Sequence, residues 1–265
     1  MSFFKTNDGV RLHYQFDGNY DQPVVVLLGG YTSMITTWTA QVDDFKQAGF
    51  RILRFEYRNH GQSEQTDKGL RISRLAMDLQ NLLEYLHVED FSLVGHSMGA
   101  MVASQYISLF GDQHVKALVT EDQTPKMLNE DGWQYGIADS SFKEISRIAD
   151  DFPKTKLIRQ TIDKELKQQV SAGYVPFNFK KNRPLMVDGI VQDWRDVVAN
   201  ERIPHLFLAG SASPLYPVTH TQAARELQQV ENSAVHIFDG SGHIPHLEFY
   251  NEFNRIVIKF ITKNQ

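Results

Sequence analysis

From Val10 to Gln15 apolar and polar positions alternate, a period of two that predicts a half-exposed strand, and Asp17-Gly-Asn-Tyr then breaks the chain in a turn. Pro23-Val-Val-Val-Leu-Leu-Gly-Gly is a continuous β-branched and aliphatic run, the pattern of a strand covered on both faces. A helical stretch over residues 38–48 leads to another strand, Phe50–Tyr57, and to the turn-rich Arg58-Asn-His-Gly-Gln-Ser. Leu75, Leu79, Leu82, Leu83 and Leu86 then recur at helical spacing within Ile72–Leu86. The short strand Phe91–Val94, Gly95-His96-Ser97-Met98-Gly99, a helix over Ala100–Phe110 and a strand over Val115–Thr120 follow. Strands that alternate with helices in this way predict an α/β fold, with a parallel sheet and helices on both faces.

The rhythm changes from Gln123 to about Glu201, where helical segments succeed one another with no buried strand between them. This stretch carries Trp133, Tyr135, Phe142, Phe152, Tyr174, Phe177, Phe179 and Trp194, aromatic surface enough to pack down on a pocket and line it. Its Lys180-Lys181-Asn182-Arg183 run reads as a solvated surface turn. The sheet resumes at Ile203-Pro-His-Leu-Phe-Leu-Ala-Gly, followed by a helix over His220–Val230, a strand over Ala234–Phe238 and a closing helix from Leu247 to Thr262. The expected division is a core of residues 1–122 and 202–265 with a helical cap of residues 123–201.

Composition narrows the chemistry. The 265 residues carry 27 Lys and Arg against 32 Asp and Glu, a formal charge of −5, which disfavours a nucleic acid or an anionic membrane as partner. With no cysteine there is no disulfide framework, no thiolate nucleophile and no Cys-ligated metal. No apolar run reaches the length of a membrane span and no secretory leader is seen, so the expectation is a cytoplasmic protein acting on a small molecule. The sequence leaves room for a homodimer.

Gly95-x-Ser97-x-Gly99 lies between a predicted strand and a predicted helix, the context a nucleophile elbow requires. A serine forced into so sharp a turn needs neighbours without a Cβ, and a helix N-terminus beside it favours developing negative charge. The hydroxyl is a weak nucleophile until a base takes its proton. Among ten histidines, His243 stands in the glycine-rich Gly240-Ser-Gly-His-Ile-Pro-His-Leu-Glu, directly after the last predicted strand and hence at the edge that holds Ser97. His246 is a weaker candidate that opens the closing helix, and His60 and His96 read as structural or pocket-lining. For the acid that orients the base, Val119-Thr-Glu-Asp-Gln-Thr-Pro puts Asp122 at the end of the strand expected beside that of Ser97. Glu121 competes, but alternation points it the other way. Two amides, of Met98 after the nucleophile and Tyr31 after the buried strand, are the expected oxyanion donors. Gly30, His96 and Ile244, with Trp133 and Trp194 of the cap, are the expected pocket lining. These residues call for no cofactor and no metal.

Arg58-Asn-His-Gly-Gln-Ser, Gly95-His-Ser-Met-Gly and Gly240-Ser-Gly-His-Ile-Pro-His-Leu-Glu together resemble signatures of the α/β-hydrolase superfamily, in its branch of small cytoplasmic esterases, enol-lactonases and cofactor-free haloperoxidases. That resemblance implies an eight-stranded, mostly parallel sheet, a helical cap after the sixth strand, and no obligatory cofactor. Two departures stand out. Gly29-Gly30 replaces the His-Gly common before the oxyanion residue, and Ser213 stands after the penultimate strand where relatives carry the acid. An acid after the sixth strand is also similar to cofactor-free dioxygenases that cleave 3-hydroxy-4-quinolones with O2.

Three functions follow as alternatives. The leading one is a serine hydrolase for a small carboxylic ester, thioester or lactone, using Ser97, His243 and Asp122. The second is the dioxygenase, in which His243 with Asp122 removes a ring proton and Ser97 only positions. The third is a non-catalytic small-molecule receptor on the same scaffold. Haloalkane dehalogenation is disfavoured, because it needs a carboxylate where Ser97 stands.

Overall fold

The computed structural model describes residues 2–138 and 140–265. At its centre is β3, Val24–Leu28, every residue of which is buried. Its side chains divide by a period of two: Val24, Val26 and Leu28 enter one apolar cluster, Val25 and Leu27 the other. The unbroken apolar run is thus explained by helices packed on both faces of the strand.

β4 (Arg51–Phe55) and β5 (Phe91–His96) flank β3, both parallel to it. β6 (Val115–Glu121), β7 (His205–Gly210) and β8 (Ala234–Phe238) extend the parallel sheet on one side. On the other, β2 (Arg11–Asp17) runs antiparallel to β4, and β1 (Ser2–Lys5) antiparallel to β2. The order is β1-β2-β4-β3-β5-β6-β7-β8. β1 has no counterpart in the sequence pattern, because four residues with one fully buried side chain, Phe4, are too short to display a period. Since β3 and β5 to β8 are parallel, their carboxyl ends share one edge, and the residues just beyond them converge there.

On one face lie α2 (Ile72–Leu86) and α3 (Met98–Phe110), and on the other α1 (Thr39–Gln47) and α10 (Tyr250–Lys263). α2 buries Leu75, Leu79, Leu82 and Leu83 at spacings of three and four, as its sequence requires. The closing helix departs from expectation. Phe249, at φ −133°, divides it into the short α9 (Pro245–Glu248) and α10, so His246 sits on its own turn against the sheet edge.

Between β6 and β7 come α4 (Ile145–Asp151), α5 (Lys164–Ser171), α6 (Phe179–Val191) and α7 (Arg195–Asn200), and α8 (His220–Leu227) joins β7 to β8. Lys180, Lys181 and Arg183 are helical, which corrects the surface-turn expectation. Asn178 caps α6 by accepting from the Lys181 amide, and the helix continues through Pro184. Arg183 pairs with Asp150 at 2.7 Å and Lys181 with Asp67 at 3.5 Å, so the run is tied to its own surface. Among the described residues no helix is long and apolar enough to cross a membrane.

Candidate active site

Ser97 joins β5 to α3 at φ 52° and ψ −120°, a conformation an L-residue adopts only under constraint. The constraint comes from both glycines. A Cβ on Gly99 would lie 2.1 Å from the Leu28 carbonyl oxygen, and one on Gly95 would lie 2.6 Å from the Ala100 nitrogen. Both obstacles are backbone, so neither can swing away. Gly99→Ala is therefore expected to lose about 3 kcal/mol of stability. A lowered urea midpoint at unchanged slope measures it, and a wild-type midpoint would show that the turn has room.

The first hydrogen bonds of α3 run from the Ala100 and Met101 amides to Ser97 O, at 2.8 and 3.3 Å. The Met98 amide precedes them, at the positive end of the helix dipole. The turn after β3 presses on the same spot, since a Cβ on Gly30 would come within 2.8 Å of His96 Nδ1 and 3.3 Å of the Ser97 Cβ. A side chain at residue 30 would thus displace the elbow, and the amide of Tyr31 follows directly.

Asp122 stands just beyond β6, in the left-handed region at φ 46°. Its Oδ2 accepts from His243 Nδ1 at 2.5 Å and from the Ser213 hydroxyl at 2.6 Å, and its Oδ1 from the Gly210 amide at 3.1 Å. Burial alone would raise its pKa, but the His243 bond and charge and the Ser213 bond outweigh it, and the net shift is downward. Asp122 is therefore an anion bonded to His243. Ser213, which stands where the sequence lacks an acid, donates to Asp122 instead. A hydroxyl at that edge was the available signal.

The His243 amide donates to Leu157 O, in the segment between β6 and β7, at 2.8 Å, and its carbonyl accepts from His96 Nε2 at 2.9 Å. Its Nε2 is buried without a hydrogen-bond partner, so no bond joins it to Ser97 in this state. Long or open contacts of this kind are common before substrate binds.

Ser97, Met98 and Tyr31 line a pocket together with Ile72, Met101, Met127, Phe152, Leu185, Met186, Gly189, Leu215 and Tyr216. No lining side chain is charged, and four are methionines, which adapt to irregular apolar ligands. The five expected lining residues lie elsewhere. Gly30 and His96 lie against each other beside Ser97, and Ile244 caps α9 with its amide on Glu248 Oε1 at 3.4 Å. Trp133 is buried under Arg195, its indole donating to Lys126 O at 3.1 Å. Trp194 bonds Gln105 of α3 at 3.2 Å in a separate groove. Both tryptophans fasten the inserted segment to itself and to α3, whereas aliphatic and methionine side chains form the cavity. His96, Glu121 and His246 bring donor atoms within 4.8 Å of one another, the geometry nearest to a metal site among the described residues. Two of the three are already bonded to each other, Glu121 Oε2 to His246 Nδ1 at 2.7 Å.

The family model described as alpha/beta hydrolase fold matches residues 23–250. Serine hydrolase BPHL of Mus musculus is 26% identical, covering 96% of this chain and 84% of its own. The 3-oxoadipate enol-lactonase 1 of Acinetobacter baylyi is 25% identical, covering 97% and 95%. Among solved structures, an esterase (EaEST) from Exiguobacterium antarcticum has a TM-score of 0.86 at 19% identity, covering 98% of this chain and 99% of that one, a likeness of fold. With the sheet order, the strained serine turn and the family match over most of its length, the chain belongs to the alpha/beta hydrolase fold family.

Proposed function

We propose that the protein is a serine hydrolase that cleaves a small, neutral carboxylic ester, thioester or lactone through an acyl-enzyme on Ser97. The family and its named relatives make it an ester-acting hydrolase, and the acyl-enzyme chemistry and its residues are the further step. The observation that carries it is the His243–Asp122 bond at the strand edge that holds the strained Ser97.

In this mechanism Ser97 Oγ attacks the carbonyl carbon while its proton passes to His243 Nε2, the nitrogen left free by Asp122. The Met98 and Tyr31 amides receive the oxyanion. The imidazolium returns the proton to the leaving oxygen or sulfur as the acyl–heteroatom bond breaks. Water then adds with the same base, and the acid and Ser97 are released. Residues 123–201 act as a cap, contributing Met127, Phe152, Leu185, Met186 and Gly189 to the cavity wall.

A wall without charged side chains selects a neutral acyl group, because a carboxylate there would be desolvated without a partner. Release of p-nitrophenol from acetate through octanoate esters tests this. kcat/KM is expected to rise about fourfold per methylene until the cavity is filled, at about 0.8 kcal/mol each. A succinate hemiester is expected to be at least about 100-fold poorer than butyrate. Well-folded protein that turns over none of these esters contradicts the proposal, and tight binding without turnover would identify a receptor.

One observation favours a second reading. His243 is joined to Asp122 and free of Ser97, as a base acting alone would be. A cofactor-free dioxygenase would consume O2 and release carbon monoxide from a 3-hydroxy-4-quinolone, with activity retained in Ser97→Ala and lost in His243→Ala.

A further inference from the structure

We infer that Glu121 is a positioning residue: through His246 it holds the loop that carries His243 in register with Ser97, and it adds a second negative charge beside the imidazolium. The inference rests on the serine-hydrolase reading. Glu121 and Asp122 are consecutive at the end of β6, so their carboxylates leave the strand in opposite directions. They take up two histidines three residues apart, Asp122 binding His243 and Glu121 binding His246. The two pairs thus grip both ends of the turn that leads into α9.

Glu121 is fully buried, and both of its oxygens serve His246: Oε1 accepts from the backbone amide and Oε2 from Nδ1, each at 2.7 Å. His246 Nε2 lies 3.2 Å from the Thr37 hydroxyl. When Glu121 is ionised, its Oε2 accepts the Nδ1 proton and Nε2 accepts from Thr37. The ring stacks on Trp38 at 4.1 Å between centroids, and the His246 carbonyl accepts from Gln41. From β5, His96 adds a third hold by donating to the His243 carbonyl, one residue before Ser97.

Such a carboxylate is a poor choice for stability alone. Burial pushes its pKa up to about 7 and that of His246 down to about 3, so neither group gains from ionising where it is. An apolar pair of similar volume would hold the fold at lower cost. What a satisfied polar pair adds is a single position for the loop. The groups that act on Glu121 are His96 from β5, His246 from α9, His243 from the loop and Asp122 beside it on the chain. His243 is the one that must become a cation during the reaction.

The test compares Glu121→Gln with the wild type on p-nitrophenyl butyrate from pH 5.5 to 8.5, with active sites counted by the acid-quenched burst. At pH 8.5 kcat is expected to fall about 100-fold with KM changed less than threefold. The gap is expected to close as the pH falls through about 7, because the wild-type carboxylate is then protonated and resembles the amide. A ratio that is the same at every pH, or a kcat within threefold of wild type at pH 8.5, overturns the inference. If Glu121→Gln does not fold, Glu121→Leu/His246→Phe carries the same test. A merely structural pair would then regain wild-type kcat, and a positioning pair would not. Ser97→Ala run alongside separates the two claims: full activity there removes the serine reading itself, whereas its loss with an unaffected Glu121→Gln removes only this inference.

Discussion

Ser97→Ala is expected to lower kcat/KM on p-nitrophenyl butyrate by about 10⁴-fold or more, with the thermal midpoint within a few degrees of wild type. The size follows from the part proposed for the hydroxyl. Without Oγ there is no acyl-enzyme, and the oxyanion amides can act only on direct attack by water. The variant should still bind substrate, because the cavity wall is formed by other side chains such as Met101, Met186 and Leu215. Retention of more than a few per cent of the activity would mean that His243 and Asp122 work on water or on a ring proton without a serine intermediate.

Asp122→Asn is expected to cost about 10³ to 10⁴-fold in kcat, nearly all of it without change in KM. The amide cannot accept from Ser213, Gly210 and His243 with the same strength, and its NH2 group would face ring nitrogen or hydroxyl donors. The imidazole would turn or change tautomer and present the wrong nitrogen to Ser97. The geometry also predicts a repair. Ser213 Oγ and His243 Nδ1 lie on the same Asp122 oxygen, at 2.6 and 2.5 Å, so a carboxylate at residue 213 can reach the imidazole. Asp122→Asn/Ser213→Asp is therefore expected to recover at least about tenfold over the single variant. No recovery in folded protein would place the orienting function in Asp122 alone, and recovery would explain why the acid can sit after either strand.

Much of this architecture is legible in the amino-acid sequence because its causes are local. The apolar run at Val24–Leu28 has to be covered on both faces, and Gly95 and Gly99 are required wherever a serine turn presses against a neighbouring strand. The placement of Asp122 follows from one residue of strand alternation against Glu121, and the structure puts the two carboxylates on different histidines. The cavity wall is a different kind of fact. Trp133 and Trp194 have the composition of pocket residues, yet they are consumed in fixing the inserted segment to Lys126 and Gln105. Met101, Met186 and Gly189 reach the cavity only because α6 packs on α2 with Gly189 beside Met101, a relation between residues far apart in the chain. Ser213 belongs to the same class, since its bond to Asp122 spans two strands. β1 was hidden for a simpler reason, its brevity.

A covalent intermediate on Ser97 is read from the intact and peptide mass of protein quenched in acid during turnover of p-nitrophenyl butyrate. One butyryl group per chain is expected, carried on the peptide that contains Ser97 and absent from Ser97→Ala. Turnover with no adduct at any quench time, or an adduct on another residue with Ser97→Ala still active, would contradict it.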